Sequence, residues 1–130
     1  MMLNLMISDY AIKQQSNAAA EALATILRDN GSMRLYAGEQ RPLTQRTDGR
    51  LVECKLTSVT VEGGIITVEW SASKALKDGT VSYYRLCSGN VPVMSGSVGV
   101  TTEFNMVINN TEIKTGMDIK AGKLIHSVMA

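Results

Sequence analysis

The sequence predicts a mainly β protein: an antiparallel, jelly-roll-like sandwich of about eight strands preceded by one N-terminal α-helix. Three observations predict it. From Gly31 onward the chain is rich in Val, Ile, Thr and Gly, with short alternating stretches separated by Gly, Asn and Asp turns. No strand–helix–strand alternation is present, which argues against a parallel sheet. Residues 8–29 alone read as a long helix, with Ala18, Ala19, Ala20, Ala22 and Ala24 and no Gly or Pro. An immunoglobulin-like sandwich ranks second, because Cys54 and Cys87 lack the Cys–Trp–Cys pattern of antibody domains.

Each element has a local reason. Ser8 or Asp9 can cap the helix. Ile12, Ala19, Leu23, Ile26 and Leu27 fall on one side of its wheel, with Lys13, Gln14, Asn17, Glu21 and Arg28 opposite. Asn30-Gly31 ends it, with Gly31 expected to take the left-handed conformation. The helix is expected to pack on one face of the domain; the alternative is a partner-docking helix. The predicted strands are Met33–Ala37, Leu51–Ser58, Ile65–Ser71, Val81–Cys87, Val91–Ser95 and Phe104–Ile108, with two more in Met117–Lys120 and Lys123–Met129. Pro92 places the fifth at a sheet edge. Asp48-Gly49, Glu62-Gly63-Gly64, Asp78-Gly79, Gly89-Asn90 and Asn109-Asn110 supply the turns. Gly38 to Arg50 reads as a long polar loop carrying Arg41 and Arg46.

Composition bounds the function. With 130 residues, 45% hydrophobic and 19% charged, the chain suits one folded domain over residues 8–130, preceded by an arm at 1–7. Its formal charge of +1 argues against direct nucleic-acid binding through phosphates. No apolar run reaches membrane-spanning length, and Met1–Ile7 has no basic start, so neither a membrane span nor an export signal is expected. Cys54 and Cys87 are expected to be buried free thiols. Asn109-Asn110-Thr111 matches a glycosylation sequon and reads as a turn.

The glycines form neither phosphate-binding pattern, and no GxSxG elbow is present. A single histidine, His126, with two distant cysteines gives no ligand spacing, so no metal and no cofactor are expected. Glu53, Glu62, Glu69 and Glu103 could in principle pair as glycosidase carboxylates, but Glu and Thr alternating on a solvated sheet face explain them better. Tyr83 and Tyr84 must point to opposite faces of their strand, so one is expected in the core. Catalytic residues are therefore expected to be none, and an enzyme is not expected.

Read in order, the chain resembles a family of small tailed-bacteriophage virion proteins, the capsid cement or decoration proteins. Behind the helix come Met33-Arg34-Leu35-Tyr36-Ala37-Gly38 and Pro42, then Leu51-Val52-Glu53-Cys54-Lys55-Leu56. Gly79-Thr80-Val81-Ser82-Tyr83-Tyr84-Arg85, Gly96-Ser97-Val98-Gly99, Glu103-Phe104-Asn105-Met106 and Ile113-Lys114-Thr115-Gly116 follow. The resemblance covers roughly residues 8–129, with a shorter middle segment than in many relatives. It implies a jelly-roll-like structural protein of the virion with no catalytic residues. Such a protein would sit on the capsid exterior after assembly in the host cytoplasm, bind the major capsid protein, and bridge neighbouring subunits as a dimer or trimer. Met2, Leu3, Leu5 and Met6 are the expected partner-binding residues, on an arm that orders on binding. The alternatives are a tail, neck or fibre component of the virion, or a carbohydrate-binding β-sandwich module.

Overall fold

The structure, a computed structural model, describes residues 9–43, 49–101, 103, 105–108 and 110–127; for 9–17 and 127 it describes the backbone alone. The arm at 1–7, Ser8, Phe104, Asn109 and the residues after 127 lie outside it.

Helix α1 spans Asp9–Arg28. Its buried stripe is Ala20, Ala24 and Leu27, an i, i+4, i+7 series that lets the helix axis come close to the sheet. The expected stripe is thereby rotated: Ile26 is 46% exposed and Leu23 only partly buried. The two small alanines set the closest approach, and the bulkier isoleucine is left outside. Arg28 closes the helix by donating from Nε and Nη2 to the Val59 carbonyl at 3.0 and 2.9 Å.

The turn out of the helix differs from expectation at one residue. Asn30, not Gly31, carries the left-handed backbone, with φ 54°. Gly31 is already the first residue of strand β1, Gly31–Ala37. It is needed there for its missing side chain, since a Cβ would fall on the Leu27 carbonyl oxygen and on Leu56.

Strands β2 (Arg50–Glu62), β3 (Ile65–Trp70), β4 (Ser73–Lys74), β5 (Gly79–Ser88) and β6 (Val91–Gly99) follow. The chain continues through β7 (Met106–Val107), β8 (Glu112–Ile113), β9 (Asp118–Ile119) and β10 (Gly122–Ser127). The architecture is mainly β. An eight-stranded sheet runs β10-β3-β2-β1-β5-β6-β7, with β8 added on β5, and β4 and β9 form a separate pair. All pairings are antiparallel except β6 with β7, which is parallel, so the all-antiparallel expectation fails at that edge. β7 therefore runs beside β6 in the same direction. Pro92 sits where expected: β6 pairs with β7 only at Val98 and Gly99, so its first half has one neighbour.

Alternation on β1 sorts the structure into two layers. Met33 and Leu35 face α1 and join Val52, Cys54, Leu86, Val59, Ile66, Val68, Trp70 and Leu124 in the apolar core. Ser32, Arg34 and Tyr36 face the other way, yet all are buried as well. A central strand buried on both faces requires a cover on each. The helix and the segment 106–124 cover the first face; the loop 38–43 and the Gly89-Asn90 turn cover the second.

Candidate functional site

The second face of the sheet holds most of the polar chemistry. Arg34 and Arg85 stand side by side in register on β1 and β5, 8% and 2% exposed. Two buried cations in contact are tolerable only if each is neutralised or hydrogen-bonded. Arg34 Nε lies 2.6 Å from Glu53 Oε1, in register on β2, and its Nη2 donates to the Gly89 carbonyl and Asn90 Oδ1, each at 3.1 Å. Burial opposes the charge of Arg34, but its hydrogen bond with Tyr36 and the field of Glu53 outweigh that and hold its pKa above the ordinary value. Arg85 donates to the Pro42 carbonyl at 3.0 Å and stands 5.8 Å over the Tyr36 ring. Tyr36 stacks on Tyr83, rings 5.1 Å apart and 12° from parallel. Gln40 donates to Ser95 Oγ at 2.9 Å, and Ser82 Oγ donates to the Gly38 carbonyl, so the loop is fastened along this layer.

At the other end the cover stops. A cleft of about 520 Å³ opens there, floored by Ser32 and lined by Arg34, Arg50, Glu53 and Lys55. Its walls are the Asn30-Gly31 junction, residues 71–73 and the Gly89-Asn90 turn. Ser32 is 8% exposed, and its hydroxyl has no hydrogen-bond partner among the described residues. Arg50 Nε is buried, makes no hydrogen bond among the described residues, and lies 3.8 Å from Glu53 Oε1. Lys55 is exposed and is the register partner of Ser32. Sequence reading missed this group. Its signal is the alternation Ser32, Arg34, Tyr36, whose burial depends on the loop and turn that cover it.

A second cleft, about 340 Å³ and largely apolar, lies on the helix-facing side between Met33, Leu35, Trp70, Met106, Ile113 and Met117. Residues of both outer strands, Val107 of β7 and Gly122-Lys123 of β10, reach its rim. The sheet therefore curls until its two edges approach the same opening.

The sequence-predicted candidates fall as follows. Cys54 and Cys87 are both free and buried. They pair with adjacent residues of β1, Met33 and Ser32, and so lie in opposite layers. Burial pushes the Cys54 thiol up to about 11 and raises that of Cys87. Tyr84 faces the apolar core and Tyr83 the polar layer; both are buried. Glu53 is tied to Arg34, while Glu62 and Glu69 are exposed on β2 and β3, apart from it. His126 is exposed on β10, opposite Ile66. Among the described residues no group of three His, Cys, Asp or Glu could hold a metal ion. Met2, Leu3, Leu5 and Met6, the expected partner-binding residues, lie outside the described residues. Among the described residues no helix is long and apolar enough to cross a membrane. Comparison with protein-family models, with curated proteins and with solved structures finds no match.

Proposed function

We propose that this chain is a tailed-bacteriophage capsid cement or decoration protein, which binds the outside of the head and bridges neighbouring major capsid subunits as a dimer or trimer. The proposal includes the finer architecture, a jelly-roll-like sandwich, supported by a sheet that curls until both outer strands rim one cleft. The observation that carries the function is the pair of open sheet edges. Among the described residues β10 pairs only with β3, and β7 only with β6. Beside these edges Ile125 is 59% and Val107 51% exposed. An unpaired strand edge with apolar side chains offers backbone hydrogen bonds and contact area to another polypeptide. Each copy would bury roughly 1,000–2,000 Å² against the shell, and shell symmetry would multiply a modest affinity into avidity.

Two alternatives remain in view. A tail, neck or fibre component would use the same edges on a different part of the particle. A carbohydrate-binding module would need aromatic rings open to sugar, but Tyr36, Trp70, Tyr83 and Tyr84 are all buried, which favours adhesion to protein. The test is sedimentation of the purified chain with undecorated phage heads, followed by cryo-EM of the complex. The decoration reading expects co-sedimentation at micromolar protein and density across subunit joints on the head exterior. Absence from the pellet, or density confined to the tail, refutes it.

A further inference from the structure

We infer that the cleft floored by Ser32 is a recognition site for an acidic polypeptide segment, whose side-chain carboxylate is received by Ser32, Lys55 and Arg50. The inference rests on the adhesion reading only for the identity of the partner; the site itself rests on the cleft. Ser32 Oγ is more than nine-tenths buried, lines the cleft, and has no hydrogen-bond partner among the described residues. A buried hydroxyl left in that state is unfavourable, and an incoming acceptor removes the penalty. Lys55 stands beside it in register, and no ion pair to Lys55 exists among the described residues. Arg50 adds a second cation, whose Nε makes no hydrogen bond among the described residues and lies 3.8 Å from Glu53 Oε1. Arg34 is different: Glu53, Gly89, Asn90 and Tyr36 already occupy its fork, so it supplies field and leaves the direct contact to its neighbours.

Lining charges of three cations against Glu53 leave a local excess of positive charge, which selects an anion. Glu53 narrows the choice. It is an acceptor within the same cleft, its side chain 34% exposed, and it repels a bare oxyanion while accepting from a backbone N–H. A peptide bearing a carboxylate offers both complements: its amide donates to Glu53, and its carboxylate accepts from Ser32, Lys55 and Arg50. The cleft volume of about 520 Å³ suits a few residues of extended chain.

The test is an NMR titration of the full chain with three probes: a capped Gly-Glu-Gly peptide, its Gly-Gln-Gly counterpart and inorganic phosphate. The expected result is amide shifts at Asn30–Ser32, Ser71–Ser73 and Gly89-Asn90 for the Glu peptide, with affinity at least about tenfold above the Gln peptide. Ser32→Ala and Lys55→Glu should each weaken that binding by about tenfold or more. Ser32→Ala should at the same time melt no lower than the parent, because it deletes an unpaired hydroxyl; a lost structural hydrogen bond would lower the melting temperature instead. Equal shifts with the Glu and Gln peptides, no shift in these three segments, or a destabilised Ser32→Ala chain each overturn the inference. Binding of phosphate without the Glu peptide overturns the assignment to a polypeptide. Failure of the parent chain to sediment with heads tells against the decoration reading alone, since the titration contains no heads.

Discussion

Replacing Gly96 with alanine sets two effects of opposite sign against each other. Gly96 lies in β6 directly opposite Tyr84, and its backbone is not left-handed, so alanine can adopt it. On chain entropy alone the substitution should stabilise by about 0.4–1 kcal/mol. The packing opposes this. A methyl at Gly96 would stand 2.6 Å from Tyr84 Cε1, 2.7 Å from its Oη and 2.8 Å from its Cζ. Ordinary carbon contacts begin near about 3.5 Å. Tyr84 is only 2% exposed, so its ring cannot swing into solvent, and the strand must move instead. Overpacking of this kind costs about 1–3 kcal/mol, which leaves a net loss of about 1–2 kcal/mol. For 130 residues at about 2.1 cal/mol/K each, that lowers Tm by roughly 4–8 °C. The assay is thermal and urea unfolding of Gly96→Ala in two backgrounds, Tyr84 and Tyr84→Leu. With leucine there, the methyl has room, and the same substitution should be neutral or stabilising, giving a coupling of at least about 1 kcal/mol. A Gly96→Ala chain as stable as the parent, or an identical loss in both backgrounds, would show that the ring does not fix this strand spacing.

Other perturbations test the polar layer and the thiols. Arg34→Met removes the partner of Glu53 and of the Tyr36 hydroxyl, and should cost about 3 kcal/mol in urea unfolding, with Arg34→Met/Glu53→Met recovering part of it. The Cys54 thiol has a folded pKa of about 11 against an ordinary 9.0, so its contribution is complete below pH 9 and is lost as pH rises toward 11. That loss amounts to about 3 kcal/mol, and Cys54→Ala should flatten the alkaline limb of the stability curve. Neither cysteine should react with a thiol reagent until the chain unfolds, because both are buried with raised pKa values. The backbone N–H and hydroxyl of Thr115 hold the Asp78 carboxylate below its ordinary pKa, and Lys74 does the same for Asp118. Their contribution is present above the ordinary carboxylate range and is lost as pH falls through the lowered values; Asp78→Asn should therefore show a shallower acid limb.

The six longest strands were legible because period-two alternation and turn residues are local signals. Their ends were not. β2 runs on to Glu62, four residues past the expected Ser58, because Val59 and Val61 find Val68 and Ile66 on β3. β6 likewise extends past Ser95 to Gly99, where Gly96 is tolerated only because the Tyr84 ring fills its place. The expected strand at Phe104–Ile108 shrinks to Met106–Val107, and that at Met117–Lys120 to Asp118–Ile119. In β4, β8 and β9, two-residue ladders are held by partners distant in sequence, such as Lys74 with Asp118 at 2.7 Å. No local pattern encodes such pairs. The opposite facing of Tyr83 and Tyr84 followed from geometry alone. That both would be buried did not, because it depends on the loop 38–43 folding over Tyr36 and Arg85.

The position of the Ser32 cleft follows from how the polar layer is closed. Arg85 is buried, and the chain brings the Arg41 and Pro42 carbonyls over β5 to accept from it, at 3.4 and 3.0 Å. That draws the loop across Tyr36 and seals one end of the face. Arg34 is satisfied from the other direction, by the Gly89 carbonyl and Asn90 where β5 turns into β6. The two covers approach from opposite ends and neither reaches Ser32, two residues before Arg34 on the same side of β1. Extending the turn to cover Ser32 would carry Asn90 away from Arg34 and leave a buried cation short of an acceptor, the costlier loss. An opening at Ser32, flanked by Lys55 and Arg50, is therefore what remains once both arginines are satisfied. The surface left there is positive because Arg34, Arg50 and Lys55 outnumber Glu53 among its lining residues, and Glu53 Oε1 is directed at Arg34.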